Sequence, residues 1–255
     1  MNNGIKQRTI TAGILIIGNE ILSGRTQDTN VNYLTTNLGS LGIKVEEARV
    51  IPDLAHRIVN SVNEMRETYD YLFTTGGIGP THDDITTECV AAAFGVETCV
   101  SPEISEVIKR RPASPNVMDA RLRMANIPIG ASLIANPTGG PQGFQIENVF
   151  VMAGIPKVMQ AMFSTLHEVL EKGPIIYSRS VTAYLSESQI AKSLFSVQDK
   201  YPDIDLGSYP FFRDSKYGTS LVMRGTDSTE LDSILDDIKE IIISAGEEPK
   251  NIEKY

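Results

Sequence analysis

The stretch Thr74-Thr75-Gly76-Gly77-Ile78-Gly79-Pro80-Thr81-His82-Asp83-Asp84-Ile85-Thr86 decides how this chain is read. The apolar run Tyr71, Leu72 and Phe73 before it reads as a strand that empties into a glycine turn. The turn is expected to open directly into a helix whose first residues carry carboxylates. Three glycines let the backbone approach a ligand without interference from a Cβ. A helix N-terminus adds unpaired N–H groups and the positive end of a dipole, which together suit phosphate. Two aspartates beside such a cradle would repel a polyphosphate, and a divalent cation placed between them removes the conflict. The same residues also fit a purely structural account. Thr81 with Asp84 three positions on has the form of a capping box, and an acidic first turn complements a helix dipole. Against that account stands the crowding of Gly76, Gly77 and Gly79, because one glycine suffices for a turn.

Working outward, strand and helix patterns alternate on both sides of this turn. Ile14 to Ile17 is a continuous apolar run suited to a buried strand, and Val31, Leu34, Leu38 and Leu41 then fall on one helical face. Ile43 to Ile51 reads as a second strand, followed by helical spacing at Leu54, Ile58, Val62 and Met65. After the glycine turn come an Ala-rich helix over Val90 to Phe94 and two helical candidates around Ile104–Lys109 and Val117–Met124. Phe144–Ile146 and Val149–Met152 form a hairpin pattern around Glu147-Asn148, and Val158 to Leu170 reads as a helix. The ordering predicts an α/β class, with a mostly parallel sheet between two helical layers. Lys172-Gly173-Pro174 punctuates the chain, which places domains at 1–173 and 174–255. The second reads as a small α+β unit: a strand over Ile175–Ala183, a helix from Ser186 to Leu194, two strands and a terminal helix.

Composition excludes several classes. The chain has 255 residues and a net charge of −9, which argues against a nucleic-acid surface of the usual basic kind. No signal peptide and no apolar stretch of membrane-spanning length is visible, so the expectation is a cytoplasmic protein without a membrane partner. Cys89 and Cys99 lack metal-ligand spacing and are expected to be buried or inert thiols. His56, His82 and His167 lack zinc spacing, and His82 reads as a solvent-facing residue at a helix start or as a substrate contact. Gly18 to Thr26 imitates a phosphate-binding loop, but one residue too many separates its glycines and Arg25 stands where lysine is needed. The basic stretch from Lys109-Arg110-Arg111 to Arg121 and Arg123 reads as a solvated helical face or as a cover for phosphates.

Acids recur where a parallel sheet would deliver them. Glu20 and Asp28 follow the first strand, Asp53 the second, and Asp83 and Asp84 the third. Ligands of open parallel sheets bind at the carboxyl ends of strands, so these carboxylates are convergent candidates for metal binding and water activation. Each acid alone also reads as a helix cap, Asp53 most of all.

With these residues in view, the chain resembles the MoCF-type molybdopterin-binding domain. The segments that carry the resemblance are Gly18-Asn19-Glu20-Ile21-Leu22-Ser23-Gly24, Asp28-Thr29-Asn30, Ile51-Pro52-Asp53 and the Gly76–Glu88 block. Asn136-Pro137-Thr138-Gly139, Gly154-Ile155-Pro156 and Gly207-Ser208-Tyr209-Pro210 agree with it. The resemblance covers nearly the whole chain and is closest to the N-terminal domains of CinA proteins and of eukaryotic FAD synthases. It implies a three-layer α/β/α domain followed by a small α+β domain. In the molybdenum-cofactor branch it implies binding of molybdopterin, with residues matching Asp53 and Asp84 catalytic and one matching Asp28 in the site. In the other branch it implies hydrolysis of nucleotide pyrophosphates such as ADP-ribose or FAD, dependent on a divalent cation (Mg, Mn or Co) and potassium.

Motifs and resemblance together give Asp84, Asp53 and Asp28 as catalytic and metal-holding candidates. The ligand-binding candidates are Gly76, Gly77, Gly79, Thr81, Gly18, Glu20, Asn136, Gly139, Gly154 and Pro156. The expected partner is a small nucleotide or pterin, and the expected assembly a homo-oligomer, dimer or trimer. Two departures touch the same region: Ala153 precedes Gly154 where relatives carry proline, and Pro141-Gln142 stands where Ala-Pro is usual.

Overall fold

The computed structural model describes residues 8–213 and 215–254. Contacts divide the chain into two compact units between Gly173 and Pro174. In the first, β1 (Ile10–Ile17) is buried at every residue from Ala12 to Ile17, as expected of a strand covered on both faces. The short α1 (Asn19–Leu22), α2 (Asn30–Ser40), β2 (Ile43–Ile51), α3 (Ala55–Thr68), β3 (Tyr71–Thr75) and α4 (Thr86–Ala93) follow. Next come β4 (Thr98–Val100), α5 (Pro102–Lys109), α6 (Pro115–Leu122) and β5 (Asn126–Pro128), with β4 and β5 pairing antiparallel. β6 (Ser132–Ile134), β7 (Gly143–Ile146), β8 (Val149–Met152) and α7 (Pro156–Ser164) complete the unit.

The main sheet has the order β2-β1-β3-β8-β7-β6. β2, β1, β3 and β8 are parallel, and β7 runs against both of its neighbours. Alternation along the strands sends Leu15, Ile17, Leu72, Val149 and Val151 into a core with Ile58, Val62 and Met65 of α3. The opposite face gives Ile14, Ile16, Phe73, Phe150 and Met152 to a core with Leu34 and Leu38 of α2 and Met159, Met162 and Phe163 of α7. The sheet therefore lies between two helical layers. At the centre of the second core Phe73 stacks on Phe150 at 5.0 Å, and Phe163 meets Phe73 edge-on at 5.8 Å.

Several sequence expectations need correction. The glycine turn does not open directly into a helix: α4 starts only at Thr86, so Asp83 and Asp84 lie in an irregular turn and not in a helical first turn. Of the two thiols expected to be buried or inert, Cys89 is buried, and desolvation pushes its thiol up to about 11, while Cys99 is exposed on β4. The helix expected over Val158 to Leu170 ends at Ser164, after which the carbonyls of Met162, Phe163 and Leu166 accept bonds from three residues on. The three-residue strands β4, β5 and β6 were not anticipated.

The second unit comprises β9 (Tyr177–Ala183), α8 (Glu187–Lys200), β10 (Asp205–Arg213), β11 (Lys216–Gly225), α9 (Ser228–Ser244) and β12 (Lys250–Lys254). Its antiparallel sheet has the order β10-β11-β9-β12, the ferredoxin-like split βαβ arrangement. Val181, Leu221 and Met223 face Ile190 and Val197 of α8 and Leu231, Ile234, Leu235 and Ile238 of α9. α8 begins at a capping box, Ser186 with Gln189, and runs to Lys200, beyond the expected Leu194. β10 lies at a rim of the sheet and carries Pro210 in its middle. Among the described residues no helix is long and apolar enough to cross a membrane.

Phe73→Ala should lower the stability of the first unit by about 3–5 kcal/mol, read as a shift of the denaturant midpoint. In the second unit the Arg179 guanidinium, and after it Lys254, hold the Asp232 carboxyl at about 2. A depressed carboxyl stabilises the fold above its unfolded value near 3.8, and that contribution is lost as pH falls through about 2. Asp232→Asn should therefore flatten the acid limb of the thermal midpoint between about pH 4 and 2 and leave its slope near neutrality unchanged.

Candidate functional site

The chain leaves β1 towards β2 on one side, whereas β3 lies on the other side of β1. A crevice at the carboxyl ends of β1 and β3 is the place where such a sheet receives ligands. The parallel strands β1, β2, β3 and β8 end there, and so does β6, because two antiparallel steps restore its direction. The loops bearing Gly18, Asp53, Gly76, Asn136 and Gly154 thus all emerge at one end of the sheet.

The glycine turn is built by exclusion. Gly76 has φ +103°, its N–H donates to the Met152 carbonyl at 3.2 Å, and a Cβ there would collide with the Ile17 carbonyl oxygen. Gly77 has φ +66°, and a Cβ would strike the Thr86 hydroxyl. Its carbonyl accepts the Thr86 N–H at 3.0 Å, which ties the turn to the start of α4. The amides of Gly77, Ile78 and Gly79 donate to no protein acceptor among the described residues. Consecutive free backbone donors of this kind suit an anion. The Thr86 hydroxyl beside them is buried and has no partner.

Each candidate acid is engaged in a turn. Asp84 Oδ2 accepts the Thr81 N–H at 2.8 Å and the Thr81 hydroxyl at 2.5 Å, which closes the turn, and Arg123 Nη1 donates to the Thr81 carbonyl at 3.0 Å. A hydrogen bond from Thr81, and then one from the residue's own backbone, lower the neighbouring Asp83 carboxyl. Asp53 does not cap α3, whose N-cap is Leu54; its Oδ2 accepts the Asn19 N–H at 2.8 Å and fixes the start of α1. Asp28 Oδ1 accepts the Val31 N–H at 2.9 Å at the head of α2. The Glu20 carboxylate folds back over Gly18. His82 is exposed in the turn rather than at a helix start.

Asn136 organises the loop after β6. Its Nδ2 donates to the Pro141 carbonyl at 2.8 Å, and its Oδ1 accepts the Thr138 N–H at 3.1 Å and the Thr138 hydroxyl at 2.7 Å. Gly139 closes that loop at φ +75°, and the buried Gln142 Oε1 beside it has no partner. Gly154 packs on Gly76, where a Cβ would stand 3.2 Å from the Gly76 Cα. Pro156 opens α7.

The strongest tie across these loops is one that sequence reasoning named only within a motif. Asn30, 4% exposed, donates through Nδ2 to the Gly154 carbonyl at 2.9 Å and to the Thr75 hydroxyl at 3.4 Å, while its Oδ1 is buried without a partner. It thereby joins the head of α2 to the ends of β3 and β8. The signal was present: Asn30 stands in the row Asn30, Leu34, Leu38, the buried face of its helix.

The structure brings Gly76, Gly154 and Asn30 together, Gly77 against Thr86, and Asp53 against the turn that follows Gly18. It does not gather the carboxylates into a cage: among the described residues no group of three His, Cys, Asp or Glu side chains stands ready to hold a metal. Asp28, Asp53 and Asp84 each spend one oxygen as a cap and keep the other uncommitted. This donor set fits a cation delivered with a polyphosphate and held by one or two carboxylates, and it does not fit a cation held by protein alone.

Asn30→Ala should strand the Gly154 carbonyl and cost about 1–3 kcal/mol in the denaturant midpoint of the first unit. Asn30→Gln should recover little of that loss, because the longer side chain cannot keep the 2.9 Å contact without moving the turn.

Comparison with known proteins agrees with this architecture. Residues 13–172 match the MoCF_biosynth family, described as "Probable molybdopterin binding domain", and residues 175–247 match "FAD synthase, middle domain". A protein of Archaeoglobus fulgidus is 34% identical over 197 residues, 77% of this chain and 84% of that one. The "Probable FAD synthase" of Caenorhabditis elegans is 29% identical over 258 residues, 91% of this chain, and the chain spans 50% of its length. Among solved structures, the protein CinA of Thermoplasma acidophilum is 30% identical with a TM-score of 0.57, covering 62% of this chain and 96% of that one. From the glycine turn, the sheet order and these matches, the chain belongs to the MoCF family of molybdopterin-binding domains, with relatives of the CinA and FAD-synthase kinds.

Proposed function

We propose that the first unit grips a phosphate of a nucleotide pyrophosphate, of the ADP-ribose or FAD type, and hydrolyses it. The observation that carries this reading is the row of uncommitted amides at Gly77, Ile78 and Gly79 in the same turn as Asp84, which keeps one carboxylate oxygen free. The match of the second unit to a part of FAD synthase, and the similarity to a relative named FAD synthase, support a nucleotide as ligand. A divalent cation (Mg, Mn or Co), bound together with the pyrophosphate and with potassium as a further requirement, would polarise a phosphoryl oxygen and acidify a water.

The residues of the chain do the rest in this proposal. The three amides donate to the oxygens of one phosphate. Asp84 Oδ1 takes the proton of the attacking water, whose oxygen bonds to phosphorus as the bridging P–O bond breaks opposite it. Asp53 and Asp28 offer their second oxygens towards the same end of the sheet, while their first oxygens keep the turns after β1 in place. Glu20, Asn136, Gly139 and Pro156 shape the neighbouring loops and form the wall of the site. A symmetric homo-oligomer belongs to the same proposal.

A second reading is favoured by the description of the matching family: retention of a pterin such as molybdopterin, or adenylyl transfer to it, without pyrophosphatase activity. Release of AMP from ADP-ribose or FAD, assayed with and without Mg²⁺, Mn²⁺ and Co²⁺, separates the two. Asp84→Asn is the sharpest variant, since the amide oxygen still accepts from Thr81 and the turn keeps its cap. Turnover should fall by about a hundredfold or more, with an unchanged thermal midpoint. Unchanged turnover would remove Asp84 from the chemistry. A thermal shift with pterin and none with nucleotide would decide for the second reading.

A further inference from the structure

The open face of the sheet in the second unit carries an aromatic and cationic surface that plays no part in the reading above. Alternation places Leu206 and Ser208 towards the helices, where Ser208 bonds Glu187 of α8 at 2.6 Å, and sends Tyr209 and Phe211 to the other face. Both rings lie down on glycines. A Cβ on Gly218, the cross-strand partner of Phe211, would run into the Phe211 ring, and one on Gly207 would stand 2.7 Å from the Tyr209 ring. The absence of side chains at these two positions lets the rings lie low over the backbone. Tyr184 meets Phe211 edge-on at 5.7 Å and extends the surface.

Cations surround these rings. Lys250 Nζ lies 5.0 Å and Lys216 Nζ 5.8 Å from the centre of the Tyr184 ring, and the Arg213 guanidinium lies 5.5 Å from that of Phe211. None of the three has a carboxylate partner among the described residues. Elsewhere in the unit Arg179, Lys200, Arg224, Lys239 and Lys254 are paired with aspartates, and Lys192 of α8 has no carboxylate partner among the described residues. In a chain of net charge −9, three cations without a carboxylate partner among the described residues thus stand together at one end of one face, beside the exposed Tyr209 ring and the half-buried Phe211 and Tyr184 rings. Like charges gathered together repel one another, and an anion among them relieves the repulsion. A planar base suits the rings and a phosphate suits the cations.

We propose that this face binds a nucleoside phosphate, its base on the Tyr209 and Phe211 rings and its phosphates among Arg213, Lys216 and Lys250. The footprint is that of one or two nucleotides. A longer nucleic acid would extend beyond the cations over a unit whose remaining surface is acidic, so the complementarity favours the small ligand.

Hydrogen exchange of the full chain, followed by mass spectrometry with ADP, inorganic pyrophosphate or a short single-stranded oligodeoxynucleotide, tests this. ADP should slow exchange in peptides spanning 205–213 and 216–225. The Lys216→Ser, Lys250→Ser double variant should raise the ADP concentration required by about tenfold or more, and Tyr209→Ala by about tenfold. These residues are exposed and carry no ion pair among the described residues, so the variants should keep the exchange pattern of the unliganded fold. No slowing by ADP, or no change in the double variant, overturns the proposal. Equal slowing by pyrophosphate removes the base from it, and slowing by the oligonucleotide at lower concentration than ADP replaces it with a nucleic-acid surface. AMP release by the first unit is read separately, so failure here leaves that reading standing.

Discussion

The contact between Gly76 and Gly154 is the constraint on which the rest of the first unit depends. Two neighbouring parallel strands must end with their backbones almost touching, and neither position has room for a side chain. Asn30 then fastens the pair, because its amide reaches the Gly154 carbonyl and the Thr75 hydroxyl from the head of α2. With the ends of β3 and β8 fixed in this way, the next residues of β3 are forced into positive φ at Gly76 and Gly77, and the following amides are turned away from the ladder. The donor row is therefore a by-product of how closely the sheet closes at that end. A buried amide oxygen left unpaired on Asn30 and a buried hydroxyl left unpaired on Thr86 lie beside it, a concentration of unsatisfied polarity that a folded core ordinarily avoids.

The proposed function asks the acids after these strands to serve two purposes that pull in different directions. As caps, Asp28, Asp53 and Asp84 remove unpaired N–H groups and hold three turns in shape. As ligands they would have to present the same carboxylates to a cation. One oxygen of each acid is engaged in its turn and the other is not, so in the proposed function a cation could be met without undoing the turns. The Thr81 hydroxyl adds to this by bonding Asp84, and a hydrogen bond from Thr81 lowers the Asp83 carboxyl.

Much of this was legible in the residues. The uninterrupted apolar run of β1 announced a strand covered on both faces, and the spacing of Leu34 and Leu38 or of Ile58, Val62 and Met65 announced the helices that cover it. The glycine cluster announced the turn. What followed it was misread for a physical reason: Thr81 with Asp84 has the spacing of a helix cap, but the pair closes a turn, and α4 waits until Thr86. The three-residue strands β4, β5 and β6 are too short to show alternation, and the exposure of Cys99 depends on a ribbon that no local pattern reveals. Asn30 entered the sequence reading only within the motif Asp28-Thr29-Asn30, although its place in the Leu34 and Leu38 row marks it as inward-facing. Where Asp53 sends its oxygen could not be read, since its partner Asn19 is distant in sequence and near only because β1 and β2 are paired.

Pro210, in the middle of β10, has a consequence for assembly. It has no N–H to give, so the outer ladder of that rim is missing a donor, and a further strand cannot be templated along its whole length. The opposite rim is β12, whose own pairing is broken by a register shift between Lys250 and Glu253. Both borders of the sheet are therefore poor seeds for continuous β-association, and copies of this unit are steered away from growing into one another edge to edge.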